Sequence, residues 1–326
     1  MDWQYNIIST GAALPKQCVS NAQLIAAKGL DSHPDWIESR TGITQRYLAS
    51  EGETTFTLAR DAAQQALATA KLKPADIGHI IVATCTPDLT FPSVAALIHG
   101  ALGMGPQCSV LDVNAACSGF IQALAVAQGL LATSEAEYAV VVGAETFSNL
   151  LDWSDRGTCV LFGDGAGAVI LHKQKIAKGS KKSGILATSQ GASGEHVALL
   201  HSAHGVARGR TSGTVQMNGR EVFKHAVRQM GEVPPMLASH GVQLADIDWL
   251  IPHQANLRII EAAAQNLGLP MQKVVATVAQ HANTSAASIP LALHTAVTDG
   301  RIQRGNTLLL QAFGAGFAYS SALIKW

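Results

Sequence analysis

Short apolar runs rich in β-branched residues alternate along this chain with longer segments rich in alanine. The apolar runs predict buried strands, because branched side chains pack well on a pleated sheet and the runs are short. The five clearest runs cover residues 79–85, 138–145, 166–172, 248–254 and 306–313. The alanine-rich segments 56–70 and 119–133 predict helices. The alternation of the two types indicates an α/β fold in which helices pack on sheets.

The order of the elements is repeated once. Three features of the first part of the chain recur 149 to 170 residues later, which is too long a period for a solenoid. The pairs are Ala75-Asp76-Ile77 with Ala245-Asp246-Ile247, Asn114 with Asn283, and residues 161–171 with residues 310–324. This spacing predicts two fused, duplicated halves with a site at the seam between them. Chance similarity between alanine-rich segments is the alternative explanation.

Composition narrows the class of protein. The chain has 326 residues, of which 48% are hydrophobic and 14% charged, so it can bury a large core. Its formal net charge is zero, which gives no broad attraction to nucleic acid or to an acidic membrane. The first residues lack a basic region before an apolar run, and no uninterrupted hydrophobic stretch reaches spanning length. We therefore expect a cytoplasmic protein that neither inserts into membranes nor binds nucleic acid.

The cysteine count and the glycine-rich segment exclude two other kinds of site. Five cysteines are an odd number without paired metal-ligand spacing, so we expect neither a disulfide framework nor a metal site. The segment GDGAGA at 163–168 runs into a predicted strand rather than opening a helix, and no acidic residue follows about 20 positions later. A dinucleotide site of the Rossmann type is therefore rejected.

Cys117 is the candidate nucleophile. It lies in DVNAACSGF, where a predicted strand ends near Val113 and a predicted helix begins near Ser118. A thiol at a helix N-terminus is expected to have a lowered pKa, because the free N–H groups there stabilise the thiolate. The alternative is a buried, inert cysteine, which is what we expect of the other four.

Three further segments can supply hydrogen-bond donors. His253 follows a predicted strand directly, and Asn283 lies in the second-half position that corresponds to the turn carrying Cys117. GAGF at 314–317 is a turn whose backbone N–H groups can face a developing oxyanion. The alternatives are a core or capping histidine, a helix-capping asparagine and a plain turn.

Six ordered motifs together resemble the β-ketoacyl-acyl-carrier-protein synthase III family over essentially the whole chain. They are WIESRTGI (36–43), NAACSGF (114–120), DRGTCVLFGDGAGA (155–168), PHQANLRI (252–259), NTSAAS (283–288) and AFGAGF (312–317). The resemblance implies a thiolase-like αβαβα fold, in which two duplicated halves have central sheets sandwiched by helices. Residues 1–172 would carry the nucleophilic cysteine, and residues 173–326 would carry the histidine and the asparagine.

The resemblance also implies roles for the candidate residues. Cys117 would take an acyl group from acyl-CoA, and His253 and Asn283 would stabilise the enolate formed when malonyl-acyl carrier protein loses carbon dioxide. The backbone N–H groups of Cys117 and Ala315 would form the oxyanion hole. Related enzymes usually have glycine at the position of Ala315, whose methyl group would crowd the hole if the residue had a positive φ.

Substrate contacts and oligomeric state follow from the same resemblance. Trp36 and Arg156 would flank the adenine of coenzyme A, with Arg40 near the phosphates, and Arg258 would receive the acyl carrier protein. The chain would be a homodimer in which Phe91 reaches the partner's acyl pocket. The pocket residues Phe91, Phe147 and Phe162 are large, so we expect short starter groups to be preferred. No cofactor is implied, since acyl-CoA and malonyl-carrier protein are substrates.

Three rival interpretations differ in their requirements. A biosynthetic thiolase needs a second catalytic cysteine in the C-terminal half, and this chain has no cysteine after Cys159. A secondary-metabolite condensing enzyme or acyltransferase of the same fold, using an unusual starter, could keep all six motifs. A non-catalytic acyl-binding subunit has no physical need for Cys117, His253 and Asn283 together.

Overall fold

The computed structural model describes residues 3–180, 182–209, 213–231 and 233–326. Its strands are β1 (Trp3–Ala13), β2 (Gln17–Ser20), β3 (Gln45–Leu48), β4 (Ile77–Ala83), β5 (Ser109–Val113), β6 (Tyr138–Glu145), β7 (Gly165–Lys175), β8 (Gly184–Ala192), β9 (Leu200–Ser202), β10 (Val215–Met217), β11 (Trp249–Pro252), β12 (Thr307–Gly314) and β13 (Ala318–Lys325). Its α-helices are α1 (Asn21–Lys28), α2 (Pro34–Thr41), α3 (Thr55–Ala70), α4 (Val94–Leu102), α5 (Gly119–Thr133), α6 (Arg156–Cys159), α7 (Gly219–Met230), α8 (Pro234–Ser239), α9 (Leu257–Asn266), α10 (Val278–His281) and α11 (Ser288–Thr298). All seven segments predicted above have the predicted type.

One large mixed sheet forms the centre of the molecule. Its nine strands are arranged in the order β11-β12-β13-β8-β1-β7-β6-β4-β5. The first-half strands β1, β7, β6, β4 and β5 are contiguous, and so are the second-half strands β8, β13, β12 and β11. The two groups meet where Tyr5 of β1 pairs with Gly184 of β8. The expected central sheets are therefore two parts of one continuous sheet.

The sheet and its helices form five layers. In β6, Ala139 and Val141 belong to the central core, whereas the alternate residues Val140 and Val142 belong to an outer core, as the period of a strand requires. Helix α5 contacts strands of both halves and α11 also lies between them, whereas α3 packs on the outer face of the first half. On the outer face of the second half, Ile260 of α9 packs with residues of β11, β12 and β13. These contacts confirm the predicted α/β class and its layering.

Helix α5 crosses the middle of this arrangement. Together with the 3-10 turn before it, it forms Ala116–Thr133, which is long and apolar enough by composition to cross a membrane, contrary to the expectation from the sequence. Half of this segment is buried inside the protein. Its residues Phe120, Ile121 and Leu124 are fully buried in the central core. The apolar composition of α5 is thus explained by its contacts with both halves of the sheet.

The repeat seen in the sequence has a structural counterpart. Asp76 accepts a hydrogen bond from the backbone N–H of Lys73 at 2.7 Å, and Asp246 accepts one from Gln243 at 2.8 Å. Each bond closes a 3-10 turn just before a strand, β4 in the first half and β11 in the second. The boundary between residues 172 and 173 stays a prediction, and β7 continues past it to Lys175.

Candidate active site

Two equivalent turns, one from each half, face each other beneath a cavity. Cys117 lies in the 3-10 turn Ala116–Ser118 after β5, and Ser285–Ala287 forms the matching turn before α11. Ala116 and Ser285 both have a positive φ, 45° and 49°, which is a strained conformation for residues other than glycine. A Cβ atom at Gly143 of β6 would lie 2.3 Å from the carbonyl oxygen of Ala286, so only glycine allows this close approach.

The Cys117 thiol is buried and hydrogen-bonded. Its Sγ donates to Oγ of Ser285 at 3.7 Å. Burial raises the pKa of Cys117 to about 12, the Ser285 hydrogen bond lowers it, and the nearby Glu145 carboxyl raises it further. The expectation of a lowered pKa is therefore wrong, because the loss of hydration outweighs the helix end. The Cys117 thiol is therefore neutral near pH 7, and a reaction at its sulfur needs an acceptor for the proton.

His253 follows β11, and hydrogen bonds fix both its ring and its backbone. Its Nδ1 lies 2.7 Å from Oγ of Ser288, and its backbone N–H donates to Gln311 at 2.7 Å. Burial lowers the pKa of His253 to about 3, so the imidazole is neutral near pH 7. Gln254 adds support, since its Nε2 donates to the carbonyl of Pro252 and its backbone N–H donates to Ser288. A buried, fixed and neutral imidazole can donate or accept one hydrogen bond at Nε2.

The side-chain oxygen and the side-chain nitrogen of Asn283 differ in their hydrogen bonding. Its Oδ1 accepts from the backbone N–H of Ser285 at 2.9 Å, which fixes the turn. Its backbone N–H donates to Leu161, and its carbonyl accepts from Gly163, so the residue is tied to the segment that carries Phe162. The amide nitrogen of Asn283 has no hydrogen-bond partner among the described residues, and this donor end belongs to a cavity-lining residue.

Ala315 follows β12 and lines the same cavity. The non-glycine residues with positive φ in the described ranges are Lys71, Ala116, Ala282 and Ser285, so Ala315 avoids the conformation in which its methyl group would crowd an oxyanion hole. The preceding residue is more constrained. A Cβ atom at Gly314 would lie 2.8 Å from the backbone nitrogen of Cys117, so this position must stay open.

One cavity of about 350 Å³ collects most of the predicted site residues. Those that line it are Cys117, His253, Asn283, Ala315, Phe147 and Phe162. Most of the remaining lining is apolar, and it includes Leu150, Leu200, Val215, Met217, Val222, Phe223, Met230, Ile259 and Phe313. Trp36, Arg40, Arg156, Arg258 and Phe91 do not line it. Within the described ranges, His, Cys, Asp and Glu side chains form no group of three or more that could hold a metal ion.

Phe147 and Phe162 both line the cavity and pack against each other. Their rings stack with centroids 4.3 Å apart and planes 18° apart. The buried carboxyl of Asp164 fixes this region, because it accepts from the backbone N–H of Ser148 at 2.8 Å and from that of Ala49 at 2.8 Å. Phe91 lies elsewhere, in the segment before α4, and is 83% exposed. Two of the three predicted pocket residues are thus together, and the third is at the surface of this chain.

The predicted binding residues for coenzyme A and carrier protein lie on exposed surfaces. Helix α2 carries Trp36 and Arg40, and the guanidinium of Arg156 lies 5.4 Å from the ring centroid of Trp36. Arg156 also donates to the backbone carbonyl of Asp31. Arg258 is in the first turn of α9, with its guanidinium 5.8 Å from the ring of Phe223. The structure therefore brings Trp36 and Arg156 together and places Arg258 near a residue of the cavity wall.

A buried polar group close to Cys117 was not predicted from the sequence. Glu145 ends β6, is fully buried and accepts hydrogen bonds from Ser285, Thr86 and Cys85. Cys85, expected to be inert, lines the cavity, and its Sγ donates to Oε1 of Glu145 at 3.2 Å. The signal was available: a carboxylate ends one apolar run and a cysteine ends another. Because β4 and β6 are parallel neighbours, their carboxyl ends lie together.

Known proteins are similar to this chain over nearly its full length. Residues 111–194 match the family model 3-oxoacyl-[acyl-carrier-protein (ACP)] synthase III, and residues 237–326 match the model of its C-terminal part. The chain is 51% identical over 321 residues to β-ketoacyl-[acyl-carrier-protein] synthase III of Rhizorhabdus wittichii, covering 98% of each chain. It is 51% identical to the protein of the same name from Sphingopyxis alaskensis, covering 97% of each.

Solved structures show the same relationship. The crystal structure of 3-oxoacyl-[acyl-carrier-protein] synthase III from Aquifex aeolicus VF5 is 42% identical, with a TM-score of 0.91 and coverage of 99% of this chain and 100% of that one. The priming β-ketosynthase from the R1128 polyketide biosynthetic pathway is 31% identical, with a TM-score of 0.91 and coverage of 98% and 96%. By full-length identity and fold, the chain belongs to the β-ketoacyl-[acyl-carrier-protein] synthase III family, whose members are acyltransferases.

Proposed function

We propose that this chain condenses an acyl-CoA starter with malonyl-acyl carrier protein through an acyl thioester on Cys117, the step that initiates fatty-acid synthesis. The observation that carries the proposal is the cavity lined jointly by Cys117, His253, Asn283 and Ala315. A nucleophile, two side chains able to donate hydrogen bonds and a backbone turn are what a thioester condensation needs.

In the first half-reaction, the sulfur of Cys117 attacks the carbonyl carbon of the acyl-CoA thioester. The backbone N–H groups of Cys117 and Ala315 stabilise the negative charge on the carbonyl oxygen. The close packing of Gly314 against the nitrogen of Cys117 supports this pairing, because it holds the end of β12 beside the nucleophile. Coenzyme A leaves as its thiol, and the acyl group stays on the enzyme.

In the second half-reaction, malonyl-carrier protein loses carbon dioxide, and its thioester oxygen becomes an enolate oxygen. His253 and Asn283 donate hydrogen bonds to that oxygen. Ser288 Oγ accepts from the N–H of Gln254 and lies 2.7 Å from Nδ1 of His253. The proposed role requires the tautomer in which Ser288 donates to Nδ1 and the ring proton is on Nε2. Because burial keeps His253 neutral, the ring stabilises the enolate without protonating the carbon that attacks the acyl group.

The exposed residues serve the two substrates. Trp36 and Arg156 hold the adenine of coenzyme A between an aromatic face and a guanidinium plane, Arg40 lies near the phosphates, and Arg258 receives the acidic carrier protein. The protein is a cytoplasmic homodimer in which Phe91 of each chain enters the partner's acyl pocket. The position of Phe91 supports this assignment, since its ring is 83% exposed on this chain and is accessible to a partner. No cofactor takes part.

A second function is kept because of one observation. The priming β-ketosynthase from a polyketide pathway shares the fold and 31% identity with this chain. A starter unit other than acetyl would place the same chemistry in secondary metabolism. The higher identity to the fatty-acid enzymes favours the first function.

The test supplies purified protein with malonyl-carrier protein and a series of acyl-CoA thioesters. We expect carbon dioxide and β-ketoacyl-carrier protein with acetyl-CoA or another short starter, and none from Cys117→Ser, in which a hydroxyl replaces the thiol. Activity confined to an unusual starter would favour the second function. Product formation by Cys117→Ser at the wild-type rate would refute the proposal.

A further inference from the structure

Glu145 is a buried carboxyl group surrounded by hydrogen-bond donors. It is 0% exposed, and none of the ion pairs among the described residues includes it. The hydroxyl of Thr86 donates to Oε2 at 2.5 Å, and the backbone N–H and the thiol of Cys85 donate at 3.2 Å each. Five donors in all, counting Thr84 and Ser285, point at its two oxygens. This environment can hold a carboxylate anion, since a backbone N–H, three hydroxyls and a thiol can all donate to its oxygens.

A directed chain of hydrogen bonds connects this carboxylate with the nucleophile. The thiol of Cys117 donates to Oγ of Ser285 at 3.7 Å, and the hydroxyl of Ser285 donates to Oε1 of Glu145 at 3.1 Å. Ser285 is fully buried, has a φ of 49°, and is held by Oδ1 of Asn283. The strained turn thus fixes the hydroxyl between sulfur and carboxylate, with every donor pointing from Cys117 toward Glu145.

The acylation step needs such an acceptor. Burial raises the pKa of the Cys117 thiol to about 12, so the free thiolate is scarce near pH 7. Burial lowers the pKa of His253 to about 3, which makes its imidazole a weak base. Burial raises the pKa of Glu145 above that of an ordinary carboxyl, which makes it a stronger base than an exposed glutamate. The other titratable group at Glu145 is Cys85, whose raised pKa keeps it protonated.

We propose that Glu145 is the proton acceptor for Cys117 during acylation, acting through the hydroxyl of Ser285. As the sulfur attacks the thioester, its proton moves to Oγ of Ser285 while the hydroxyl proton of Ser285 moves to Oε1 of Glu145. The bond from the acyl carbon to the coenzyme A sulfur breaks, and the proton returns through Ser285 to that sulfur. This inference rests on the proposed acyl-Cys117 intermediate, and it makes Glu145 a positioning residue and Ser285 its contact with the reacting sulfur.

The direct test measures acylation in Glu145→Gln and Ser285→Ala by rapid quenching and intact-protein mass. We expect each to slow acylation of Cys117 by about 10² to 10⁴-fold, the usual contribution of a general base. The double variant should be no slower than the slower single variant, because both changes interrupt one path. Once acylated, the variants should condense the acyl group with malonyl-carrier protein at a rate within about tenfold of the wild-type rate. Equal losses in both half-reactions would mean that Glu145 is only structural.

A matched control is Thr86→Val, which removes the 2.5 Å hydrogen bond to Glu145 but leaves the path to Cys117 intact. Acylation by this variant should fall by less than about tenfold, much less than in Glu145→Gln. A loss in Thr86→Val equal to that in Glu145→Gln would overturn the relay.

Alkylation of Cys117 by iodoacetamide tests the relay without acyl-CoA. In a Cys85→Ala background, the rate should reach a plateau above the pKa of Glu145 when the relay is intact. In Glu145→Gln it should instead rise about tenfold per pH unit, because only solvent can take the proton. Identical profiles would refute the relay. If alkylation depends on Glu145 but acyl-CoA leaves no adduct, the relay stands and the proposed function fails. If acyl-CoA acylates Glu145→Gln at the wild-type rate, the proposed function stands and the relay fails.

Discussion

The turns at residues 114–118 and 283–287 have the same backbone but different chemistry. In each, an asparagine Oδ1 accepts the backbone N–H two residues later, from Ala116 at 3.4 Å and from Ser285 at 2.9 Å, and that residue has a positive φ. The residue after it is Cys117 in the first half and Ala286 in the second. Asn114 is exposed, whereas Asn283 is buried. The two halves thus share the backbone conformation of this turn, and they differ in the side chains that it carries.

The two halves also contribute differently to the cavity. The first half supplies Cys117 and the stacked rings of Phe147 and Phe162. The second half supplies His253, Asn283 and Ala315. The candidate nucleophile therefore belongs to one half, whereas most of the apolar lining and the candidate donors His253, Asn283 and Ala315 belong to the other.

The sharpest test of this division compares Asn283→Ala with Asn114→Ala. Asn283→Ala should reduce decarboxylation of malonyl-carrier protein by about 10² to 10³-fold, the usual cost of one oxyanion donor, and His253→Ala should do the same. Acylation of Cys117 should fall much less in both. The control Asn114→Ala should change both half-reactions equally and by less than about tenfold. Equal effects of the two asparagine variants would break the comparison.

The stacked rings of Phe147 and Phe162 should limit the length of the starter group. Phe147→Ala should shift the preference toward longer acyl-CoA thioesters, since each methylene that no longer clashes with the Phe147 ring is worth about 1 to 3 kcal/mol. The change should also lower the free energy of unfolding by about 3 to 5 kcal/mol. Leu151→Ala is the control, because Leu151 packs in the same cluster without lining the cavity. An unchanged chain-length profile in Phe147→Ala would remove this residue from the pocket.

The end of β12 lies so close to Cys117 that a methyl group at Gly314 should disturb the site. In Gly314→Ala, the new Cβ would lie 2.8 Å from the nitrogen and 3.1 Å from the Cβ of Cys117, so the nucleophile must move. We expect acylation to slow by about tenfold or more, since small displacements at a reacting centre are costly. Ala315→Gly should stay within about threefold of the wild-type rate. The measurement is single-turnover acylation, and a faster Gly314→Ala enzyme would contradict the geometry.

The buried histidine of the second half should make stability depend on pH. The pKa of His253 is lowered from 6.5 to about 3 on folding, so the unfolded chain binds more protons between these values. Stability from this group is present above pH 6.5 and is lost as pH falls toward 3, by about 1.4 kcal/mol per pH unit. Denaturant unfolding at several pH values gives the free energy of unfolding as a function of pH. Between pH 3 and 6.5 the slope of this function should be smaller in His253→Gln by that amount. Parallel slopes would mean that the imidazole is protonated in the folded protein.

Most of the fold and half of the site could be predicted from the sequence, and particular residues show why. The runs ending at Val113 and Pro252 have strand character on their own, so the positions of Cys117 and His253 followed from local pattern. The raised pKa of Cys117 could not be predicted, because burial depends on how α5 packs between both halves. The carboxyl end of β6 could have indicated Glu145, but its connection to Cys117 could not be predicted, since it passes through Ser285, which lies 140 residues from Glu145 and 168 residues from Cys117 along the chain.

The most direct test of the central claim follows the mass of Cys117 through one turnover. Incubation with acetyl-CoA alone should add one acetyl group to the intact protein, located by peptide mapping at Cys117 and not at Cys85. Addition of malonyl-carrier protein should then remove it, with release of the β-ketoacyl product and carbon dioxide. An adduct on another residue, or an acetyl group on Cys117 that malonyl-carrier protein cannot discharge, would contradict the account.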